Sequence, residues 1–330
     1  MQFSVDSIFL GLVILNRFII LPSEPIIASG LRNGEIKILN SDSFSHLYAY
    51  REHLATVLCI EYLPDKYLAS GDANGTIIIW NLLNQTKHTK LIHNGSVRSL
   101  ILINDTTFAT AASNSIKLWS IESFNNTLTI ENAHSSNIIG LKYFFNNLFS
   151  ISSDGILKSW ENFVLKFQIY TQCIVSSFDI DSNGNIACGC KNGYIKIYST
   201  DSNSLYLQDS FYFQYSFFIC LERFLFKHDD LSSLRFLVDG FLVSGGMDGS
   251  LNIWNYKKRS ILSYYCGHAA IVTTLEYIGN NIFISGAIGG SIKIWNMSNR
   301  TLIKAYSAGS GVSFLKLIDR KLLSSLNKNL

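Results

Sequence analysis

The chain has 330 residues, of which 48% are apolar, 13% aromatic and 15% charged, with three prolines and a formal net charge of +3. That composition excludes a disordered chain, which would lack the apolar residues to build a core. No lysine- or arginine-rich run is present, which excludes the electrostatic footprint of a nucleic-acid-binding face.

In chain order, the first apolar stretches are residues 8–15 (IFLGLVIL) and 18–21 (FIIL). They look like the hydrophobic part of a secretion signal, but Asp6 precedes them, no basic residue does, and Asn16 and Arg17 interrupt them. The stretch is also too short to span a bilayer. It reads as β-strand, with residues 2–5 and 8–13 as strands ahead of the first repeat.

From there a small-residue turn followed by a short apolar run recurs seven times. The copies are SGLRNGEIKIL ending at Leu39, SGDANGTIIIW at Trp80, AASNSIKLW at Trp119, SISSDGILKSW at Trp160, CGCKNGYIKIY at Tyr198, SGGMDGSLNIW at Trp254 and SGAIGGSIKIW at Trp295. Their ends are 41, 39, 41, 38, 56 and 41 residues apart. A period near 40 built from strand signals points to a propeller blade rather than a helical solenoid. In the second unit, residues 57–63, 67–70 and 76–80 read as strands joined at Pro64 and Asp65 and at Asn74 and Gly75, and a fourth strand follows over 86–92. Asn and Gly supply the positive φ of tight hairpin turns. Stacked around an axis, such four-stranded blades bury both faces.

Polar residues are phased with the aromatic ones. His53, His93, His134, His228 and His268 lie 26 or 27 residues before the tryptophan of their units, and Ser29, Ser70, Ser150, Ser244 and Ser285 lie ten residues before the key position. Six before it stand Asn33, Asn74, Asp154, Asn192, Asp248 and Gly289. On these phased copies the chain resembles the WD-repeat family over nearly its whole length. The resemblance implies a hydrogen-bonded tetrad of histidine, Ser/Thr, turn Asp and Trp. Two units match fully, His134, Ser150, Asp154 and Trp160, and His228, Ser244, Asp248 and Trp254. Two match in part: His53, Ser70 and Trp80 with Asn74 in place of Asp, and His268, Ser285 and Trp295 with Gly289. The Asp that follows Trp in the family is absent, the positions reading Asn81, Ser120, Glu161, Asn255 and Asn296. An interchangeable, repeated His, Ser and Asp set argues for structure, because nucleophilic catalysis needs one activated site.

Residues 311–325 repeat the pattern of two opening strands and stop before a third. Joined to strands at 2–5 and 8–13, they would complete a further blade. The sequence therefore favours a single all-β domain over residues 1–330, an eight-bladed propeller closed by strands from both termini, with seven blades as the alternative. The 56-residue gap marks an aromatic-rich insertion over 201–228, whose Phe211, Phe213 and Phe217 are candidate partner anchors. The same segment also reads as an elongated strand pair of its own blade or as a wrongly translated stretch. The family resemblance further implies that the residues preceding the turn position, Arg32, Ala73, Ser153, Lys191, Met247 and Ile288, face the entrance of the central channel.

The six cysteines are scattered among different repeats and read as free buried thiols, which suits a reducing compartment, cytoplasmic or nuclear. Cys188 and Cys190 form a C-x-C without a second ligand pair, so no metal is expected there. No cofactor and no catalytic residue is expected either. The function that follows is a non-catalytic, monomeric scaffold binding other proteins or peptides within a multiprotein complex, with no nucleic acid and no membrane. The alternatives are the substrate receptor of a ubiquitin ligase, against which stands the lack of an F-box-like helical segment before the repeats, and a propeller enzyme or small-molecule binder, which would need carboxylates or histidines converging in the channel.

Overall fold

The computed structural model describes residues 26–318, apart from positions 42, 44, 201–204, 213–230, 239 and 259. Among the described residues, twenty-eight strands form seven four-stranded antiparallel sheets, each a blade. The inner strands of the second to seventh blades are Val57–Leu63, Val97–Asn104, Ile138–Phe144, Val175–Ile180, Leu231–Phe236 and Val272–Gly279. In the first blade the inner strand is Val312–Ile318, from the far end of the described chain. It runs antiparallel to Ile26–Leu31, with Ile26 opposite Ile318 and Ser29 opposite Leu315.

The ring thus has seven blades, and the favoured count of eight is corrected. Residues 312–318 do not open a further blade; they complete the one whose other strands are Ile26–Leu31, Ile36–Asn40 and His46–Tyr50. Pairing of Ile26–Leu31 with Val312–Ile318 is consistent with the expected closure of the ring by strands from both termini. The strands expected at 2–5 and 8–13, and the later part of the 311–325 pattern, lie outside the described residues.

Each blade alternates in burial because each strand sends successive side chains to opposite faces. In the second blade, the third strand Thr76–Asn81 is almost wholly buried, whereas the outer strand Thr86–Ile92 is mostly exposed. Apolar clusters lie between blades: Ile60, Leu68, Ile78 and Trp80 of the second pack on Ile26, Ala28, Ile36 and Ile38 of the first. The seam that closes the ring is equally apolar, with Ile284, Ile292 and Ile294 against Ile27, Leu31, Leu39, Val312 and Leu315. At about 1.5–3 kcal/mol per fully buried aliphatic side chain, this seam stabilises the closed ring by more than any single polar contact.

The turn between second and third strands needs glycine. Gly75 has φ +87°, and a Cβ there would lie 2.3 Å from the His93 carbonyl oxygen. Close approach of the next linker to this turn therefore forbids any side chain. The surplus in the 56-residue gap begins later than expected: Leu205–Tyr212 is the outer strand of the fifth blade, with Phe211 opposite Ile195. Phe213 and Phe217 lie outside the described residues.

Candidate functional site

Histidines join consecutive blades. His93 donates its backbone N–H to the turn carbonyl of Gly75 in the second blade, and His268 does the same to Gly249 in the sixth. The His268 ring then reaches into the following blade, its Nε2 2.6 Å from Ser285 Oγ. The linker at His268 is thereby tied to the blade it leaves and to the blade it enters, whereas among the described residues no side chain of the third blade hydrogen-bonds the buried His93 ring.

The second blade has the fullest network. Trp80 Nε1 donates to Ser70 Oγ at 2.7 Å, His53 Nε2 lies 2.7 Å from the same oxygen, and His53 Nδ1 lies 2.9 Å from Asp72 Oδ2. The partner of the histidine is thus Asp72, two residues before the expected Asn74, which instead donates its backbone N–H to Asp72 Oδ1. With the carboxylate fixing the proton on Nδ1, Nε2 accepts from the serine hydroxyl. Aspartate, histidine and serine here stand in the order of a hydrolytic triad, but Ser70 is fully buried and its oxygen is held by Trp80. A substrate cannot reach it.

The other units vary this arrangement. In the fourth blade His134 Nε2 and Trp160 Nε1 meet Ser150 Oγ at 2.7 and 2.8 Å, but Asp154 accepts from the Ser135 hydroxyl at 2.6 Å and the Ile156 N–H at 2.9 Å rather than from His134. In the sixth, Trp254 donates to Ser244 at 2.8 Å and Asp248 accepts from the N–H and hydroxyl of Ser250; His228 lies outside the described residues. In the seventh, Trp295 donates to Ser285, and Ser291 supplies what Gly289 cannot, lying 2.6 Å from His268 Nδ1. Thr110 replaces serine in the third blade, accepting from Trp119 at 2.8 Å. Burial pushes His134 and His268 down to about 4, with Lys158 and Lys293 adding to the effect. These rings are neutral at pH 7.

The turns between second and third strands form one rim of the ring. Ala73, Ser153, Lys191 and Ile288 each donate a backbone N–H to the residue just before the inner strand of the same blade, Thr56, Asn137, Ile174 and Ile271, at 2.9–3.0 Å. Arg32 donates likewise to Gly311 at 2.8 Å. Met247 occupies the matching turn of the sixth blade. Arg32 and Lys191 are exposed, and Leu54 and Ile174 on the adjoining linkers expose large apolar side chains.

A second feature was not anticipated. The fifth residue of each inner strand occupies one shared register, opposite Ala69, Ala109, Phe149, Ala187, Val243, Ile284 and Ala28. These residues are, in ring order, Glu61, Ile101, Lys142, Asp179, Arg235, Glu276 and Lys316. Neighbouring inner strands touch all round the ring, so the charges alternate along a closed circle. Lys316 Nζ lies 2.7 Å from Glu61 Oε1, Lys142 Nζ 2.6 Å from Asp179 Oδ1, and Arg235 spans Asp179 at 3.3 Å and Glu276 at 3.4 Å. Asp179 Oδ2 accepts the Phe236 N–H at 2.9 Å. Burial alone would push Asp179 up, but Arg235, Lys142 and that N–H together hold it below the usual carboxylate range. Burial lowers Lys142, with Asp179 opposing.

Seven positions cannot alternate two signs without placing two like charges side by side. Ile101 is the neutral seventh that removes the conflict. The carboxylates that do converge here are each matched by a cation, and among the described residues no group of three or more His, Cys, Asp or Glu is arranged to hold a metal. On the rim opposite the turns, where the hairpins joining first and second strands lie, the fourth to seventh blades enclose a cleft of about 330 Å³ that includes Lys142, Asp179 and Arg235.

The expectation of free thiols is corrected at three cysteines. Cys173 and Cys190 form a disulfide, and Cys266 is also disulfide-bonded. Cys173 precedes the inner strand of the fifth blade and Cys190 ends its neighbour, opposite Val175, so the hairpin brings the two sulfurs together. Cys59 and Cys188 are free and buried, and burial pushes the Cys188 thiol up to about 12.

Three stretches, residues 44–81, 220–255 and 259–296, match the family model described as "WD domain, G-beta repeat". The described residues form a β-propeller of seven four-stranded blades, and these matches are consistent with a WD-repeat protein. No curated protein matches the sequence. Among solved structures, the computationally designed Ika8 protein is similar, with 22% identity and a TM-score of 0.66 over 89% of this chain and 88% of that one. That likeness is one of fold alone. Among the described residues, no helix is long and apolar enough to cross a membrane.

Proposed function

We propose that this propeller is a non-catalytic scaffold that binds proteins or peptides through the rim carrying Arg32, Ala73, Ser153, Lys191, Met247 and Ile288. WD-repeat propellers are in general interaction scaffolds, and fold alone does not decide the partner. The observation that carries the reading is the pinning of these turns: five of the six positions donate a backbone N–H to the same blade's linker or its counterpart, at 2.8–3.0 Å. A surface fixed in this way loses little conformational freedom on binding. Beside the exposed cations of Arg32 and Lys191, Leu54 is 93% exposed, so the rim offers both charge and apolar area.

The test is comparative. Partners bound to the natural chain are quantified against those bound to a rim variant, Arg32→Glu with Lys191→Glu and Leu54→Asp, and to an outer-strand control, Thr301→Glu. The reading expects the rim variant to lose at least about tenfold in affinity, the cost of one or two good interface contacts, with the control unaffected. Equal binding by all three would refute it.

A further inference from the structure

Every cation of the inner ring but one stands between two acids. Lys316 lies between Glu276 and Glu61, and Arg235 between Asp179 and Glu276. Lys142 has Asp179 on one side and Ile101 on the other, so one of its three N–H bonds is used by Asp179 and no second acid is supplied from the neighbouring blade. Its side chain remains 26% exposed, and Arg235, bound to two acids through separate nitrogens, is 28% exposed. Both line the cleft on the hairpin rim, together with Phe144, Phe236, Tyr256 and Tyr277. Two acids share the cleft with these cations, and both are engaged: Asp179 by Lys142, Arg235 and the Phe236 N–H, and Asp181 by the Tyr256 hydroxyl at 2.8 Å, the N–H groups of Asn183 and Asn185 and the Asn185 side-chain amide.

We propose that this cleft binds a carboxylate attached to a small aromatic or aliphatic body, the carboxylate accepting from the N–H bonds of Lys142 that Asp179 leaves unused. The volume, about 330 Å³, is that of a small ligand pocket and accommodates one ring with its acid group. The aromatic walls favour a flat apolar body, and the cations fix the end that carries charge. The ligand is either a free organic acid or the acidic terminus of a peptide. The site lies on the rim opposite the turns, so its fate is separate from that of the scaffold reading.

Calorimetric titration of the full chain with phenylacetate, phenylacetamide, and an acetylated dipeptide ending in phenylalanine, with its C-terminus free or amidated, tests this. Both carboxylates should bind saturably and at least about tenfold more tightly than their amides, the discrimination carried by one charge-assisted hydrogen bond. Tighter binding of the free-terminus dipeptide than of phenylacetate identifies a peptide ligand, and the reverse a free acid. Lys142→Gln should weaken carboxylate binding about tenfold, whereas Lys316→Gln, a ring cation outside the cleft, should leave it unchanged. On the unaltered chain, added carboxylate should shift the side-chain NMR signals of Lys142 and leave those of Lys316 in place. Absence of binding, amides as tight as acids, or Lys142 signals that do not move would overturn the proposal.

Discussion

Ser150 serves two buried partners with one hydroxyl, the Trp160 indole and the His134 ring. Replacing it with alanine orphans both, at a cost of about 2–4 kcal/mol when each buried polar group loses about 1–2. Asp154 belongs by sequence to the same tetrad but bonds to Ser135 and to its own turn, so Asp154→Ala should cost only about 1 kcal/mol. Urea denaturation separates the two; equal losses would contradict the assignment. The buried histidines also set a pH dependence. His93, His134 and His268 are lowered from 6.5 to about 4 by burial, so the unfolded chain takes up protons before the folded one. The stability they contribute is complete above pH 6.5 and is lost as pH falls from there toward 4. A urea midpoint that stays flat over that window would contradict this.

At the scale of the strand, the inner ring ties register to charge. Sliding one inner strand by a residue would remove its charged side chain from the circle and set an apolar one between two charges. Asp179→Asn leaves Lys142 and Arg235 facing each other without their shared carboxylate, with an expected loss of about 3–5 kcal/mol. The odd number of blades makes a further, less obvious demand. Ile101→Glu would pair with Lys142 but abut Glu61, and Ile101→Lys would pair with Glu61 but abut Lys142, so neither should raise the melting temperature. A neutral Asp179→Asn, or a stabilising charge at position 101, would show that the ring does not behave as one circuit. This feature is not apparent along the chain, because Glu61 and Lys142 are two blades apart and the pattern appears only when the inner strands are aligned by register. Cys173 and Cys190 read as free thiols for a related reason: 17 residues apart in sequence, they meet only once the hairpin folds.

At the scale of the molecule, the repeats were readable because six of the seven third strands carry a bulky aromatic that must be buried, with Leu39 at that place in the first, and the turns before it favour Gly, Asn or Asp. Blade count was harder. Residues 312–318 have the composition of any opening strand, and nothing local distinguishes a strand that starts a blade from one that completes a blade begun some 280 residues earlier. The turn-rim positions were located through phased turns, whereas the hairpin-rim cleft draws on four blades and has no contiguous signature.

Seven-bladed closure through residues 312–318 is the claim on which the rest depends. Its most direct test is the double variant Ile27→Cys with Leu317→Cys, placed at cross-strand partners of the closing sheet. Under mild oxidation, peptide mapping should recover residues 27 and 317 joined in nearly all molecules, with the melting temperature raised because the link closes a loop of almost the whole ring. Failure of the two to join, or their capture by cysteines introduced at residues 8–13 instead, would contradict the seven-bladed ring.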